Sequence, residues 1–286
     1  MSGASEQMLS ANGLRHHVIR WGDRPVDVVL CHGFLDIAWS FDAVARALVA
    51  KGHGVASFDW RGHGQSEWVG PGGYYHFPDY ILDLDELLPQ LSKRPVHLVG
   101  HSMGGTACAM YAAARPDKLR TLTLVEGIGP PEMGPRDAAV RLRAWLDGVA
   151  KIRARDRRPM QGPREALARM RLQNPEISDE LGSFLVARST RKVEGGLQWT
   201  FDPLHKTWSP RPFQARAFRT ILRAISTPTL VVAGERGFRL EDEQDRIAEI
   251  KDHRFVEIPE VGHMIHWFEP TLLASELMQF FALDGA

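Results

Sequence analysis

"VHLVGHSMGG", Val96 to Gly105, decides how this sequence folds. Val96–Val99 are mostly apolar with no strict alternation, the mark of a strand covered on both faces. Met103 opens "MGGTACAMYAAARP", a helix-forming run of small residues stopped at Pro116. Between them, Gly100-His101-Ser102-Met103-Gly104 spells G-x-S-x-G. A serine at a sharp strand-to-helix turn sits in a strained backbone, with its hydroxyl projecting above the sheet. The helix N-terminus beside it carries unpaired N–H groups and partial positive charge, which suit a developing oxyanion. The bare pattern is weak: about one chain in ten of this length would carry it by chance. Its position between a strand and a helix gives it weight over the alternative, an unreactive turn serine.

Outward from this stretch, short apolar runs alternate with helical ones, the pattern of a largely parallel sheet covered by helices. "LRHHVIRWG" reads as an early antiparallel strand, and "VDVVLCHGF" as one buried on both faces. "FDAVARALVAKG" has helical period and ends at Gly52, a suitable cap. A strand and Gly-rich loop, "GVASFDWRGHGQS", a helix, "PDYILDLDELLPQL", and a strand, "LRTLTLVEG", follow in order around the serine. From Pro130 to Arg223 no buried strand is evident. "RDAAVRLRAWLDGVAKIRAR", "PREALARMRLQ" and "SDELGSFLVARS" read as amphipathic helices, and "GGLQWTFDPLHKTWSP" as a loop. "TPTLVVAGE", "LEDEQDRIAEI", "HRFVEIPEVGH" and "PTLLASELMQFFA" then resume the strand–helix alternation. The expected fold class is α/β, with residues 1–129 and 224–286 as core and 130–223 as an inserted helical cap.

Composition limits the partners. The 286 residues carry 35 Lys+Arg against 35 Asp+Glu, which argues against a chain built to bind nucleic acid or an anionic membrane surface. No run approaches the roughly 18 apolar residues of a membrane helix. The polar start "MSGASEQMLSANGLRHH" has no signal core, so a cytoplasmic location is expected. The 130–223 segment is basic; its arginines are solvated helix faces or, more sharply, attract anionic substrates to a cleft. Cys31 and Cys108 give neither a disulfide framework nor zinc spacing and read as buried packing. The histidines show no HExxH pattern, and no phosphate loop or dinucleotide fingerprint occurs, so no metal and no cofactor is expected. Composition does not fix the oligomeric state.

Four motifs together resemble the α/β-hydrolase fold: "CHGF" at Cys31–Phe34, "FDWRGHGQS" at Phe58–Ser66, "GHSMGG" at Gly100–Gly105 and "VGHMIHWFEP" at Val261–Pro270. The likeness spans nearly the whole chain outside the cap and is greatest to the serine hydrolase-like branch. It implies Ser102 as nucleophile. It also implies an oxyanion hole from the backbone N–H of Phe34, after the HG dipeptide, and of Met103, after the serine. His32 reads as a brace for that loop. The base is expected after the last strand, where His263 follows Gly262; His266 reads as the start of the next helix. The side chain of His101 is expected to point away from the nucleophile.

The acid that orients the histidine raises a difficulty. Many relatives place it three residues after the glycine of "VVAGERGF", which here is Gly237. Glu235, Glu241 and Asp242 lie nearby, the last two as ordinary helix-start acids. Glu126 ends the apolar run "TLTLVEG" at the carboxyl end of a central strand, where active sites of this class form. Some α/β hydrolases, including a branch of the haloalkane dehalogenases, place their acid there. Glu126 is therefore the expected acid; the alternatives are an organiser of the cap hinge "GIGPP", with Asp242 or Glu235 as acid, or an incomplete triad.

The resemblance thus implies hydrolysis of a carboxylic ester through an acyl-enzyme, with thioesters and lactones within the same chemistry. A serine where related dehalogenases and epoxide hydrolases carry aspartate disfavours those reactions. The expected substrate is a small, mostly apolar ester. Trp145, Trp199, Phe201 and Trp208 are candidates to line its pocket, against ordinary cap packing, with Tyr74, Tyr75 and His76 at the rim. Two rivals stand: a carbon–carbon bond hydrolase of diketones using the same serine and histidine, and a ligand-binding protein without turnover.

Overall fold

A computed structural model describes residues 3–132, 138–154 and 158–283. Its elements run β1 (Ala4–Ala11), β2 (Leu14–Trp21), β3 (Val28–Cys31), α1 (Asp42–Ala50), β4 (Val55–Phe58), α2 (Phe77–Leu91), β5 (Val96–His101), α3 (Met103–Ala114) and β6 (Leu119–Val125). There follow α4 (Ala138–Ala154), α5 (Pro163–Arg171), α6 (Asp179–Ser189), β7 (Thr190–Val193), β8 (Gly196–Trp199) and α7 (Ala215–Ala224). The chain closes with β9 (Thr229–Gly234), α8 (Glu243–Glu249), β10 (His253–Ile258), α9 (Ile265–Phe268) and α10 (Pro270–Leu283).

Eight strands form one sheet in the order β1-β2-β4-β3-β5-β6-β9-β10. Pairing from β4 through β10 is parallel, while β1–β2 and β2–β4 are antiparallel. Parallel strands need cover on both faces, and successive residues supply it. Val29, Cys31, Leu98 and Leu124 face Leu84, Tyr111 and Phe218 on one side. Val28, Leu30, Val99 and Val125 face Leu48, Leu277 and Phe281 on the other. Each such side chain, taken fully out of water, stabilises the fold by about 1.5–3 kcal/mol before chain entropy is counted. Cys31 and Cys108 are both buried, as expected of packing residues. Because β3 lies between β4 and β5, the chain reverses its winding direction there, and a crevice opens at the carboxyl edge.

Two hairpins depart from the sequence reading. The polar start forms β1, joined to β2 by Asn12-Gly13 with φ of 44° and 74°. Asn-Gly is the residue pair that a tight two-residue turn with both φ positive selects. Part of the expected loop "GGLQWTFDPLHKTWSP" forms β8, paired with β7 across Glu194-Gly195. These strands are half-exposed, so no apolar run announced them.

Between β6 and β9 the described residues form the helices expected there; Arg136, Asp137 and Arg155 of the first expected helix lie outside the described residues. Met160, Ala166 and Val186 make a small core of their own, with Trp199 packed against it. The segment is fastened to the sheet domain by buried polar contacts: Tyr75 Oη donates to Asp202 (2.9 Å), and the Asp202 amide donates to the Gly62 carbonyl (2.8 Å). All of α7 but its last residue, Ala224, lies in 130–223, yet Phe218 and Leu222 pack into the main core.

Candidate active site

The turn at Ser102 has φ 50° and ψ −116°, a strained conformation for a residue with a side chain. Neighbouring glycines permit it. A Cβ on Gly104 would lie 2.5 Å from the carbonyl oxygens of Cys31 and His32, and one on Gly105 would lie 2.7 Å from the Gly127 Cα. The strand edge, the helix and the loop after β6 therefore touch backbone to backbone. The Ser102 hydroxyl makes no hydrogen bond among the described residues, a geometry compatible with a resting site that tightens around substrate.

Phe34 and Met103 line the same cavity as Ser102, and neither amide donates to an acceptor among the described residues. The Phe34 loop is braced by His32, whose Nε2 accepts from the Trp60 amide (3.0 Å) and whose carbonyl accepts from Trp60 Nε1 (2.9 Å).

Glu126 follows β6 with a left-handed φ of 52°, which turns its side chain across the end of β9. One carboxylate oxygen accepts from the Gly234 amide (2.8 Å). The other accepts from the Phe238 amide (2.8 Å) and from His263 Nδ1 (2.9 Å). Its side chain is 1% exposed, against 28% for His263. Assigned from this bond, the His263 proton sits on Nδ1, leaving a bare lone pair on Nε2, the form a general base needs.

The rival acids are engaged elsewhere. Asp242 pairs with Arg246 (2.8 Å), and Glu235 accepts the Glu260 amide (2.8 Å). Gly237 is explained by its surroundings: a Cβ there would overlap the Glu126 carboxylate, 2.6 Å from Cδ and from Oε2.

The residues around Ser102 enclose about 520 Å³, with Glu126 and His263 in the same wall. Apolar side chains dominate: Phe34, Phe77, Ile128, Leu204, Phe238 and Leu240. Tyr74 and Tyr75 line it as expected; His76 does not, and it precedes α2 as the cap residue. None of the four expected cap aromatics lines it. Trp199 packs against the small core of Met160, Ala166 and Val186, with Phe201 stacked on it, Trp145 packs edge-on to Tyr74, and Trp208 lies against Arg141. The 130–223 segment instead contributes Pro130, Pro131, Leu204, His205, Thr207 and Ser209. His205 has no distinctive local pattern; it reaches the site because its ring packs on Tyr75 (centroids 3.8 Å) and on His63 (4.2 Å). Burial pushes its pKa down to about 3, so it is neutral.

A larger groove, about 1040 Å³, lies along α7 and α8, away from Ser102. Its arginines are matched by acids, as in Arg219 and Arg223 with Glu249 (3.0 and 2.6 Å), so it offers no surplus charge.

His266 opens α9 and is fully buried; its Nε2 lies 3.0 Å from the Asp36 carboxylate. His101 is likewise buried, and its Nε2 lies 2.9 Å from the His263 carbonyl. No helix among the described residues is long and apolar enough to cross a membrane.

Comparison with known proteins bears on the fold and the family. Residues 27–270 match the family described as alpha/beta hydrolase fold. The chain is 29% identical over 186 residues to a serine hydrolase-like protein of Danio rerio, covering 64% of this chain and 57% of that one. It is 29% identical to the 3-hydroxybutyrate-oligomer hydrolase of Cupriavidus necator, covering 94% of both. Among solved structures, the thioesterase domain from the curacin biosynthetic pathway superposes with a TM-score of 0.85 at 28% identity, covering 96% of this chain and 99% of that one. The match over residues 27–270, with the parallel sheet and the strained serine between strand and helix that the fold calls for, shows that this chain belongs to the α/β-hydrolase-fold family.

Proposed function

We propose that the protein hydrolyses small, mostly apolar carboxylic esters through an acyl-enzyme on Ser102. The observation that carries this is the 2.9 Å bond between Glu126 and His263 Nδ1, in the wall of the cavity that Ser102 also lines. In this reading His263 Nε2 takes the Ser102 proton as Oγ bonds to the ester carbonyl carbon. Glu126 holds the imidazole in its tautomer and stabilises the imidazolium. The Phe34 and Met103 amides hold the oxyanion, together lowering the barrier by several kcal/mol. His263 passes its proton to the departing alcohol, and the alcohol leaves. Water, deprotonated by the same imidazole, then attacks the acyl-enzyme and releases the acid.

The cavity supports the apolar substrate class. No Lys or Arg lines it among the described residues, so a carboxylate-bearing substrate would be desolvated there without a counter-charge. That counts against anionic diketones, although a neutral diketone would use the same serine and base. The named substrate of the Cupriavidus necator relative, a hydroxybutyrate oligomer, is an ester, and the curacin neighbour is a thioesterase by name; both belong to acyl transfer. The reading of a binding protein without turnover rested on Gly237, and the Glu126 carboxylate accounts for that glycine.

The test is direct. Purified protein is expected to hydrolyse short p-nitrophenyl esters and to be labelled at Ser102 by a fluorophosphonate. Ser102→Ala is expected to lose both. Absence of labelling and turnover in the unaltered protein would sink the proposal. Cleavage of a neutral diketone faster than of the esters would move it to carbon–carbon hydrolysis.

A further inference from the structure

We propose that His101 is a positioning residue, whose hydrogen bond to the His263 carbonyl sets where the base stands relative to Ser102. The inference rests on the proposed function, in which Ser102 and His263 react. His101 ends β5 and is covalently joined to Ser102, so its backbone moves with the nucleophile. Its Nε2–H donates to the His263 carbonyl at 2.9 Å, and the two rings lie 4.7 Å apart. Its other edge rests on the oxyanion loop: a Cβ added to Gly33 would stand 2.7 Å from His101 Nδ1. One buried ring therefore touches the base loop and the oxyanion loop while bonded to the nucleophile.

A second pair fixes the ring from behind. His266 packs on His101 with centroids 4.4 Å apart, and is held by Asp36, which also accepts from Ser40 Oγ (2.7 Å). Asp36 lies just beyond Phe34, so the pair ties the start of α9 to the oxyanion loop. Burial lowers both histidines well below the ordinary range, so each is neutral and carries one N–H. His101 directs its own at the His263 carbonyl. His101 Nδ1 and His266 Nδ1 are buried without partners among the described residues. A ring retained for packing alone would leave the His263 carbonyl free of it; here the one available donor is aimed at the base loop.

The test separates a donor from a filler. His101→Leu keeps most of the volume and removes the N–H, whereas His101→Gln keeps an amide N–H within reach of the same carbonyl. A misplacement of about 1 Å at a reacting group can cost about a hundredfold in rate. His101→Leu is thus expected to lower kcat about 30-fold or more, with KM within about threefold, and to slow fluorophosphonate labelling in parallel. His101→Gln is expected to recover most of that loss. Hydrogen exchange in a peptide covering residues 259–266 is expected to quicken in the Leu variant and return toward parent in the Gln variant. The exchange comparison reads the tether even if the unaltered protein turns nothing over, an outcome that would fail the functional reading instead. If the Leu variant does not fold, Asp36→Asn serves: loosening His266 is expected to quicken exchange in the same peptide and lower kcat. Parent-like turnover and exchange in the Leu variant, or equal losses in Leu and Gln, would overturn the proposal. For Asp36→Asn, parent-like exchange would do so.

Discussion

At residue 237 a glycine is required by space, not by backbone conformation. The Glu126 carboxylate fills the volume that a side chain there would occupy. Glu126 and the glycine are thus two halves of one arrangement, and on the proposed function they make opposite predictions when changed. Glu126→Gln keeps the shape but cannot hold the imidazolium; kcat is expected to fall about 10³–10⁴-fold in ester hydrolysis, by analogy with triad acids generally. Asp242→Asn and Glu235→Gln, which change acids bonded elsewhere, are expected to stay within about threefold of parent; a large loss in either would return the acid to the later loop. Gly237→Asp alone is expected to impair folding or turnover, because it meets Glu126. In a Glu126→Ala background the same aspartate has room, and the double variant is expected to exceed Glu126→Ala alone in kcat. Much of this arrangement is legible in the amino-acid sequence. A charged residue ending an apolar run at a strand's carboxyl edge signals a buried role, and Gly237 marks the vacancy at the usual place. The Asp36–His266 and His101–His263 contacts are not legible there, since nothing local shows which buried histidine faces which partner.

Among the elements, the contact that most constrains the site is that of α3 with the chain just after β3 and β6. It exists because Gly104 and Gly105 let that helix press its backbone against the ends of β3 and β6. Gly104→Ala would force a methyl to 2.5 Å from two carbonyl oxygens, and backbone cannot yield cheaply. The variant is expected to lose about 1–3 kcal/mol or more in denaturant unfolding and to lose labelling at Ser102 together with it. A stable, fully reactive alanine variant would show that the elbow has slack. Glycine spacing makes this turn readable because G-x-S-x-G carries its own geometric reason. The same holds for β3 and β9, whose near-continuous apolar runs match strands buried on both faces, and for β5 and β6, which are mostly apolar with His or Thr between. β1 and β7–β8 escape a sequence reading because exposed strands carry little apolar signal. Their turns, Asn12-Gly13 and Glu194-Gly195, are the available clue. The cavity-lining residues of the 130–223 segment escape it for a different reason: large aromatics satisfy a small core first, so Trp199 packs against that core while smaller Leu204 and Thr207 face the pocket.

Across the whole molecule, the unusual quantity is the number of histidines held neutral in the interior. Burial depresses His63, His101, His205 and His266 below their ordinary value. In the unfolded chain each takes up a proton near pH 6.5. As pH falls through that value the unfolded state binds more protons than the native one, so stability is lost, and it returns as pH rises. Two groups act in the opposite sense. His17 has its pKa raised, with Asp59 and Glu6 outweighing its burial, so its contribution is present at low pH and fades as pH rises. Asp36 is pushed up to about 6 by burial, so the native state keeps a proton that the unfolded state has lost between about pH 4 and 6, and stability falls with rising pH there. Four depressed histidines outweigh these two between pH 5 and 7, each contributing up to about 1.4 kcal/mol per pH unit. The free energy of unfolding is therefore expected to rise from pH 5 to pH 7 by about 2 kcal/mol or more, read from urea midpoints at constant ionic strength. His205→Phe, which keeps an aromatic ring and removes one titrating site, is expected to make that rise shallower. A flat profile, or one that falls across the interval, would mean that these rings are protonated in the folded protein.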